Sequence, residues 1–221
     1  MNANDRHAHR LPDLETGSSQ TQIVAHRYDR VARIYRGLEG LDRRWTRRWR
    51  AELWSEVEVR RVLEVGVGTG INFPFHPPGA EVVALDVSPK MLAVARGHQS
   101  AARVHLTLGD VQDLQWESSS FDTVVATFVF CSVPDPLRGL EEVRRVLRPG
   151  GRLLLLEHVI SSRRWLAMLM RLIDPIVSRM SGAHIARDTV ENVRRAGFVD
   201  VVARPLVLDV VQHIEARAPL G

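Results

Sequence analysis

An acidic residue closes a short apolar run and is followed by glycines at three alternate positions: Val62-Leu63-Glu64-Val65-Gly66-Val67-Gly68-Thr69-Gly70. Glycine lets the chain turn tightly and lets a ligand approach the backbone. The spacing is G-x-G-x-G, whereas a dinucleotide loop would want glycine at the position of Ile71 and a pyrophosphate on the following helix N-terminus. Glu64 beside the loop would repel a phosphate and suit a cationic group. Asp86 ends the run Val82–Leu85, twenty residues after Gly66. An acidic side chain there can accept hydrogen bonds from both hydroxyls of a ribose. Asp110, followed by Val111, ends the next run, where an acceptor could meet an adenine amino group.

These residues need a scaffold that brings three run ends together. Arg61–Val65, Glu81–Leu85, Val104–Leu108, Phe121–Thr127 and Arg152–Leu156 read as buried strands. Between them lie helices over Ser88–His98, with a Ser-Pro start, and Pro136–Leu147, closed by Pro149-Gly150-Gly151. The connection from Gly70 to Gly79 is short and Pro-rich, so its helix should be stunted. A helix over Arg187–Ala196, ended by Gly197, precedes closing strands near Val199–Ala203 and Val207–Val211. Strands alternating with helices at this spacing imply an α/β fold with a doubly wound, seven-stranded, mostly parallel sheet. Its strand C-terminal ends face the crevice where such sheets bind ligands.

This ordered set resembles the class I S-adenosylmethionine-dependent methyltransferases, over about Arg60 to Phe198. The resemblance implies a Rossmann-like methyltransferase fold and S-adenosylmethionine as cofactor, leaving S-adenosylhomocysteine as product. It places Glu64 at the methionine end, Gly66, Gly68 and Gly70 under the cofactor, Asp86 at the ribose, and Asp110 with Val111 around the adenine. Val87, Met91 and Thr127 complete the cofactor set that it implies. Scattered histidines without paired carboxylates imply no metal.

Composition bounds the rest. With 45% hydrophobic and 25% charged residues, the 221-residue chain is neither disordered nor fibrous. Its lone cysteine, Cys131, excludes an intrachain disulfide and a cysteine-based zinc site, and reads as a small core residue. The net charge of +4 is concentrated between Arg27 and Arg50, where nine arginines face three acids. We expect a mobile tail over 1–20, N-terminal helices over 21–58 and the cofactor-binding domain over 59–221, with a lid-like insertion near 160–186. The N-terminal helices should run from Thr21 to about Arg36 and from Leu41 to Val57, with Gly37 and Gly40 between them. The second carries tryptophans on one stripe and arginines elsewhere. That composition suits either a helix lying in an anionic membrane interface or one packed on the domain. Arg163–Met180 is too apolar for an exposed loop and is either a core helix or the lid and mouth of a site for a greasy substrate. Without a secretory signal or a span of roughly 20 apolar residues, the chain is expected in the cytoplasm, associated peripherally with the inner face of the membrane.

The acceptor is harder to read. The segment after the fourth strand, Thr127–Asp135, lacks the Asn/Asp-Pro-Pro-Tyr/Phe run of methyltransferases acting on bases or glutamine. Tyr28-Asp29…Ala32…Tyr35 and Arg145–Gly151 resemble the branch holding the ubiquinone and menaquinone C-methyltransferases and the bacterial phosphatidylethanolamine N-methyltransferases. The quinone enzymes' Glu-x-Ser is replaced by Glu157-His158-Val159, and their Tyr-Asp-x-Met-Asn is missing. Glu157–Val159, Asp174-Pro175 and Gly182…His184…Arg187-Asp188-Thr189-Val190 are similar to the phospholipid N-methyltransferases. That resemblance implies phosphatidylethanolamine as acceptor, with His184 and Arg187 on its phosphate and Tyr28, Tyr35 or His158 as base. A quinone, a small thiol or amine, and RNA are the alternatives. The shortage of lysine and of a base-stacking motif on the strands counts against nucleic acid. A monomer or weak dimer is expected.

Overall fold

A computed structural model of the chain describes residues 19–58 and 60–220, apart from the side chains of Ser19, Val31, Met180, Ser181 and residues 33–43. All but the last two residues of the expected tail lie outside the described residues. The elements are α1 (Ser19–Ser55), β1 (Arg61–Val65), a single 3-10 turn (Phe73–Phe75), β2 (Glu81–Asp86), α2 (Pro89–Ala95), β3 (Arg103–Leu108), β4 (Phe121–Thr127), α3 (Pro136–Val146), β5 (Leu147–His158), α4 (Arg164–Ser181), α5 (Thr189–Arg195), β6 (Val199–Val207) and β7 (Val211–Arg217). They form one seven-stranded sheet in the order β3-β2-β1-β4-β5-β7-β6, parallel except for β7. The direction of winding reverses between β1 and β4, which opens a crevice at their C-terminal ends.

Period-two alternation divides the strand residues between two cores. Leu63, Val65, Leu85, Val124 and Leu155 face α3 and α5, which contribute Leu140, Val143 and Val193. Val62, Val82, Ala84, Val125 and Leu154 face Leu53 and Trp54 of α1 and Leu92 of α2. The short helices start where the sequence supplies a cap. Ser88 Oγ accepts from the Met91 N–H, Asp135 from Arg138 and Asp188 from Glu191, with proline in the first turn of α2 and α3.

Two elements differ in kind from the sequence expectation, and β5 starts earlier than expected, at Leu147 rather than Arg152. The N-terminal helices are one continuous helix, α1, with Gly37 and Gly40 inside it. Each glycine costs about 1 kcal/mol in a helix interior. The helix is held on both sides of them, by Thr21 and Asp29 before and by the buried Leu53 and Trp54 after. Burying two side chains of that size contributes about 1.5–3 kcal/mol each, enough to offset the glycines. The tryptophan stripe therefore turns inward: Trp54, Leu53 and Val57 are core and Trp49 half-buried, leaving Trp45 exposed. The second difference is the last strand, which begins at Val211 rather than ending there. Leu208 and Asp209 take positive φ and reverse the chain between β6 and β7.

Candidate active site

The C-terminal ends of β1 to β5 open on a cavity of about 480 Å³, inside the roughly 300–1,000 Å³ range of small-molecule sites. Gly66, Gly68, Asp86, Val87, Met91, Asp110, Val111, Thr127, His158 and Tyr28 all line it. Gly66 and Gly68 both have positive φ. A Cβ on Gly68 would meet nothing within 4 Å, so open space lies over the loop and a ligand can approach its backbone there. A Cβ on Gly66 would strike Val129 Cγ2 at 2.4 Å, because the wall after β4 rests on this residue. Gly70 is not a lining residue; its missing Cβ lets Ala95 of α2 and Phe73 pack close.

Asp86 is buried, accepting the Gly68 N–H on Oδ2 and the Ser88 N–H on Oδ1, both at 2.8 Å. Burial pushes its carboxyl up to about 6, against the opposing pull of those backbone donors. The lone pairs left over suit two ribose hydroxyls. Asp110 already accepts from Thr21 Oγ1 at 2.6 Å and from the backbone and side-chain amides of Gln112. The first turn of α1 thus clasps the carboxylate expected at the adenine. Asp29 ties α1 to the start of α2 through Ser88 Oγ and the Lys90 N–H.

Glu64 does not line the cavity. Its oxygens are taken by Asn72 Nδ2 at 2.7 Å and His76 Nε2 at 3.0 Å, all three side chains being buried. The charge that the cavity meets at this end is Arg50 of α1, 3% exposed. Arg50 donates through Nε to Thr46 Oγ1 and through Nη1 to Asn72 Oδ1 and Thr127 Oγ1. Asn72 therefore couples Glu64 to Arg50. A cofactor ending in a methionine would present a carboxylate here, and Arg50 is the group to hold it. Arg50 was not legible as a site residue because it sits in a run of nine arginines; the signal was its place between Trp49 and the buried Leu53–Trp54 pair.

The acceptor side is formed by Phe128, Val129, Ser132, Val133 and Pro134 after β4, with His158 after β5 and Val24 and Tyr28 of α1. Phe128 has φ +57°, a costly conformation for an aromatic residue, of order 1–3 kcal/mol. It is held by the Arg50 guanidinium, 5.5 Å from its ring centre, and by the His158 ring, 4.6 Å away. Tyr28 shares a 2.7 Å hydrogen bond with Ser132 Oγ. The Tyr35 side chain lies outside the described residues.

The loop behind this wall is gripped on both polarities. Glu157 Oε1 accepts from the Val129 and Phe130 N–H groups, while Arg187 Nη1 donates to the Phe130 and Val133 carbonyls. Burial pushes Glu157 up to about 7 and lowers Arg187. His184 Nδ1 pairs with Asp174 Oδ2 at 2.9 Å. Neither His184 nor Arg187 reaches the cavity, so the pair expected on a phosphate braces the wall instead. Cys131 is buried, its thiol pushed up to about 12 by burial and by the nearby Glu157, and is no nucleophile. Among the described residues no cluster could hold a metal ion.

Residues 63–155 match the family model described as a methyltransferase domain. The chain is 36% identical over 187 residues to the thiol S-methyltransferase TMT1B of Rattus norvegicus, which is 77% of this chain and 72% of that protein. It is 40% identical over 139 residues to the demethylmenaquinone methyltransferase of Deinococcus radiodurans, or 61% of this chain and 56% of that one. A methyltransferase of Haloferax volcanii, solved in complex with the Trm112 methyltransferase activator, superposes with a TM-score of 0.71 at 20% identity, covering 90% of this chain and 98% of its own. By these similarities, which run across the strand ends that form the cavity, the chain belongs to the S-adenosylmethionine-dependent methyltransferases.

Proposed function

We propose that the enzyme methylates the sulfur of an apolar thiol. The observation that carries this reading is the distribution of charge in the cavity. Its lining carboxylates are Asp86 and Asp110, both on the cofactor side, while the acceptor side is Phe128, Val129, Val133 and Pro134 with the neutral hydroxyls of Tyr28 and Ser132. An ammonium would find no counter-charge there, and desolvating one is costly. A thiol ionises near 8.5 in water and is nucleophilic as its thiolate. Bound in the cavity, S-adenosylmethionine supplies a methyl on a sulfonium, which leaves for the acceptor sulfur as the C–S electron pair stays behind. The residues here position the acceptor and exclude water, and such orientation can supply roughly 7–11 kcal/mol of a barrier. His158 lines the same cavity, its ring against that of Phe128, and is the group we assign as base for the thiol proton.

The similarity to the thiol S-methyltransferase supports the same reading. The phospholipid amine expected from the sequence loses its anchor, because Arg187 and His184 are committed elsewhere. The test offers the purified enzyme labelled S-adenosylmethionine with three acceptors: a medium-chain alkyl thiol, a demethylated quinol, and phosphatidylethanolamine in vesicles. The expected product is the methyl thioether, with a rate that rises with pH up to the pKa of the thiol used. Label in the quinol or the phospholipid, with no thioether, overturns the proposal.

A further inference from the structure

We infer that α4 is a membrane-docking helix, and that it seats the enzyme on an anionic lipid surface with the acceptor wall close by. The helix spans 18 residues, and Trp165, Met168, Leu169, Leu172, Ile173 and Ile176 are between 37% and 74% exposed. At 3.6 residues per turn these six share one continuous stripe. Monomeric soluble proteins rarely leave so large a contiguous apolar patch bare. Ala167 and Met170, on the opposite side, are buried. Among the described residues, no helix or strand packs along the length of α4 in the way that α1 packs on α2.

Charge identifies the occupant. Arg164 and Arg171 are exposed along one edge of the stripe, and Arg179, also exposed, lies on the same side at its C-terminal end. The helix has one carboxylate, Asp174, and it is turned inward to His184 Nδ1 and the Ala186 N–H. An apolar face with an arginine edge and no exposed acid is the pattern of a helix lying in a lipid interface. There the arginine stems lie along the apolar zone while their heads reach the phosphates. A second copy docked through the same face would bring one arginine edge against another with no acid to meet it.

The helix is also fastened to the site. Arg27 of α1 donates to the Ser178 carbonyl, and the His184 N–H, just beyond α4, donates to the Cys131 carbonyl behind the acceptor wall. α4 begins six residues after β5 delivers His158 to the cavity. Docking through α4 therefore holds the acceptor side near the apolar layer, whatever nucleophile the acceptor carries. No helix among the described residues is long and apolar enough to cross a membrane, so this contact lies in the plane of the surface.

The experiment is flotation of the full chain with vesicles of phosphatidylcholine alone or with a third of it replaced by phosphatidylglycerol, without acceptor or S-adenosylmethionine. Three arginines near an anionic surface should raise binding on the order of a hundredfold on the anionic vesicles at low salt. Leu172→Asp with Ile176→Asp should abolish binding to both, and Arg164→Gln, Arg171→Gln and Arg179→Gln together should remove the anionic preference. Each variant should bind S-adenosylhomocysteine as the parent does, which shows that it is folded. No binding at low salt overturns the inference, as does binding that survives the aspartates. So does a concentration-dependent dimer that the aspartates dissolve, since the stripe would then belong to a second copy. None of these results bears on the thiol assay, so the two proposals fail separately.

Discussion

Replacing Arg50 by methionine tests the assignment of the cavity's ends. The side chain keeps most of its length and apolar contact with Phe128 but loses the guanidinium that donates to Thr46, Asn72 and Thr127. A hydrogen bond to a charged group is worth about 1.5–3 kcal/mol, so losing the contact to a methionine carboxylate should weaken S-adenosylhomocysteine roughly 10- to 150-fold. Methylthioadenosine shares the nucleoside and lacks the amino acid, so its affinity should change by less than about twofold if that single contact is what is lost. Titration calorimetry of both ligands on both proteins gives the ratio. The variant also leaves Asn72 Oδ1 without its donor, and any deformation of the cavity that follows would weaken both ligands alike. Equal losses, or an unchanged S-adenosylhomocysteine affinity, would refute the assignment of Arg50 to the carboxylate.

The other predictions concern groups around the same cavity. Since Asp86 must be ionised to accept two hydroxyls and its carboxyl lies near 6, cofactor affinity should rise with pH from 5 to 7 and then level off; Asp86→Asn should bind weakly with no such slope in calorimetry. Glu157 sits near 7 in the folded protein against 4.5 for the free group, so its contribution to stability is complete below 4.5 and lost as pH rises through 7. That loss is on the order of 3 kcal/mol, and Glu157→Gln should flatten the pH dependence of denaturant midpoints across this window. Gly66→Ala should lower the melting temperature, through its positive φ and its 2.4 Å clash with Val129. Gly68→Ala should fold nearly as well, with its cost in cofactor affinity, because its Cβ enters the space above the loop. Thr21→Ala should raise adenosine affinity in calorimetry, since it frees Asp110 Oδ2 for the adenine amino group expected there.

β1 and β4 were legible to the residue because each is a short apolar run bounded by a charge and a turn, and both lie in the doubly covered centre of the sheet. The last strand was not. Val207-Leu208-Asp209-Val210 looks apolar enough to extend, yet two residues there take positive φ, whereas only Ile214–Arg217 of the actual strand alternates as an antiparallel strand does. The two helices expected before the domain are one because the bonds that hold α1 reach residues 59 and 89 positions away, beyond any local rule about glycine. The cofactor carboxylates announced themselves at strand ends. Glu64 shows the limit of that logic: the strand places it beside the loop, and its partners, Asn72 and His76, come from a proline-rich connection whose side chains no periodicity describes. The apolar stretch after β5 was open between core and mouth, and the exposure of its stripe answers for neither.

The contact between Gly66 and Val129 limits how such an enzyme can change its diet. Val129 faces the acceptor with one side and leans on the cofactor loop with the other. A lineage that enlarges this side chain to exclude one acceptor presses on the loop, and one that trims it to admit another lets the loop settle. Taste for the acceptor and grip on the methyl donor are thus inherited together at this position. Val133 and Pro134, which line the cavity further along, are where new specificity can be tried at less risk to the old chemistry.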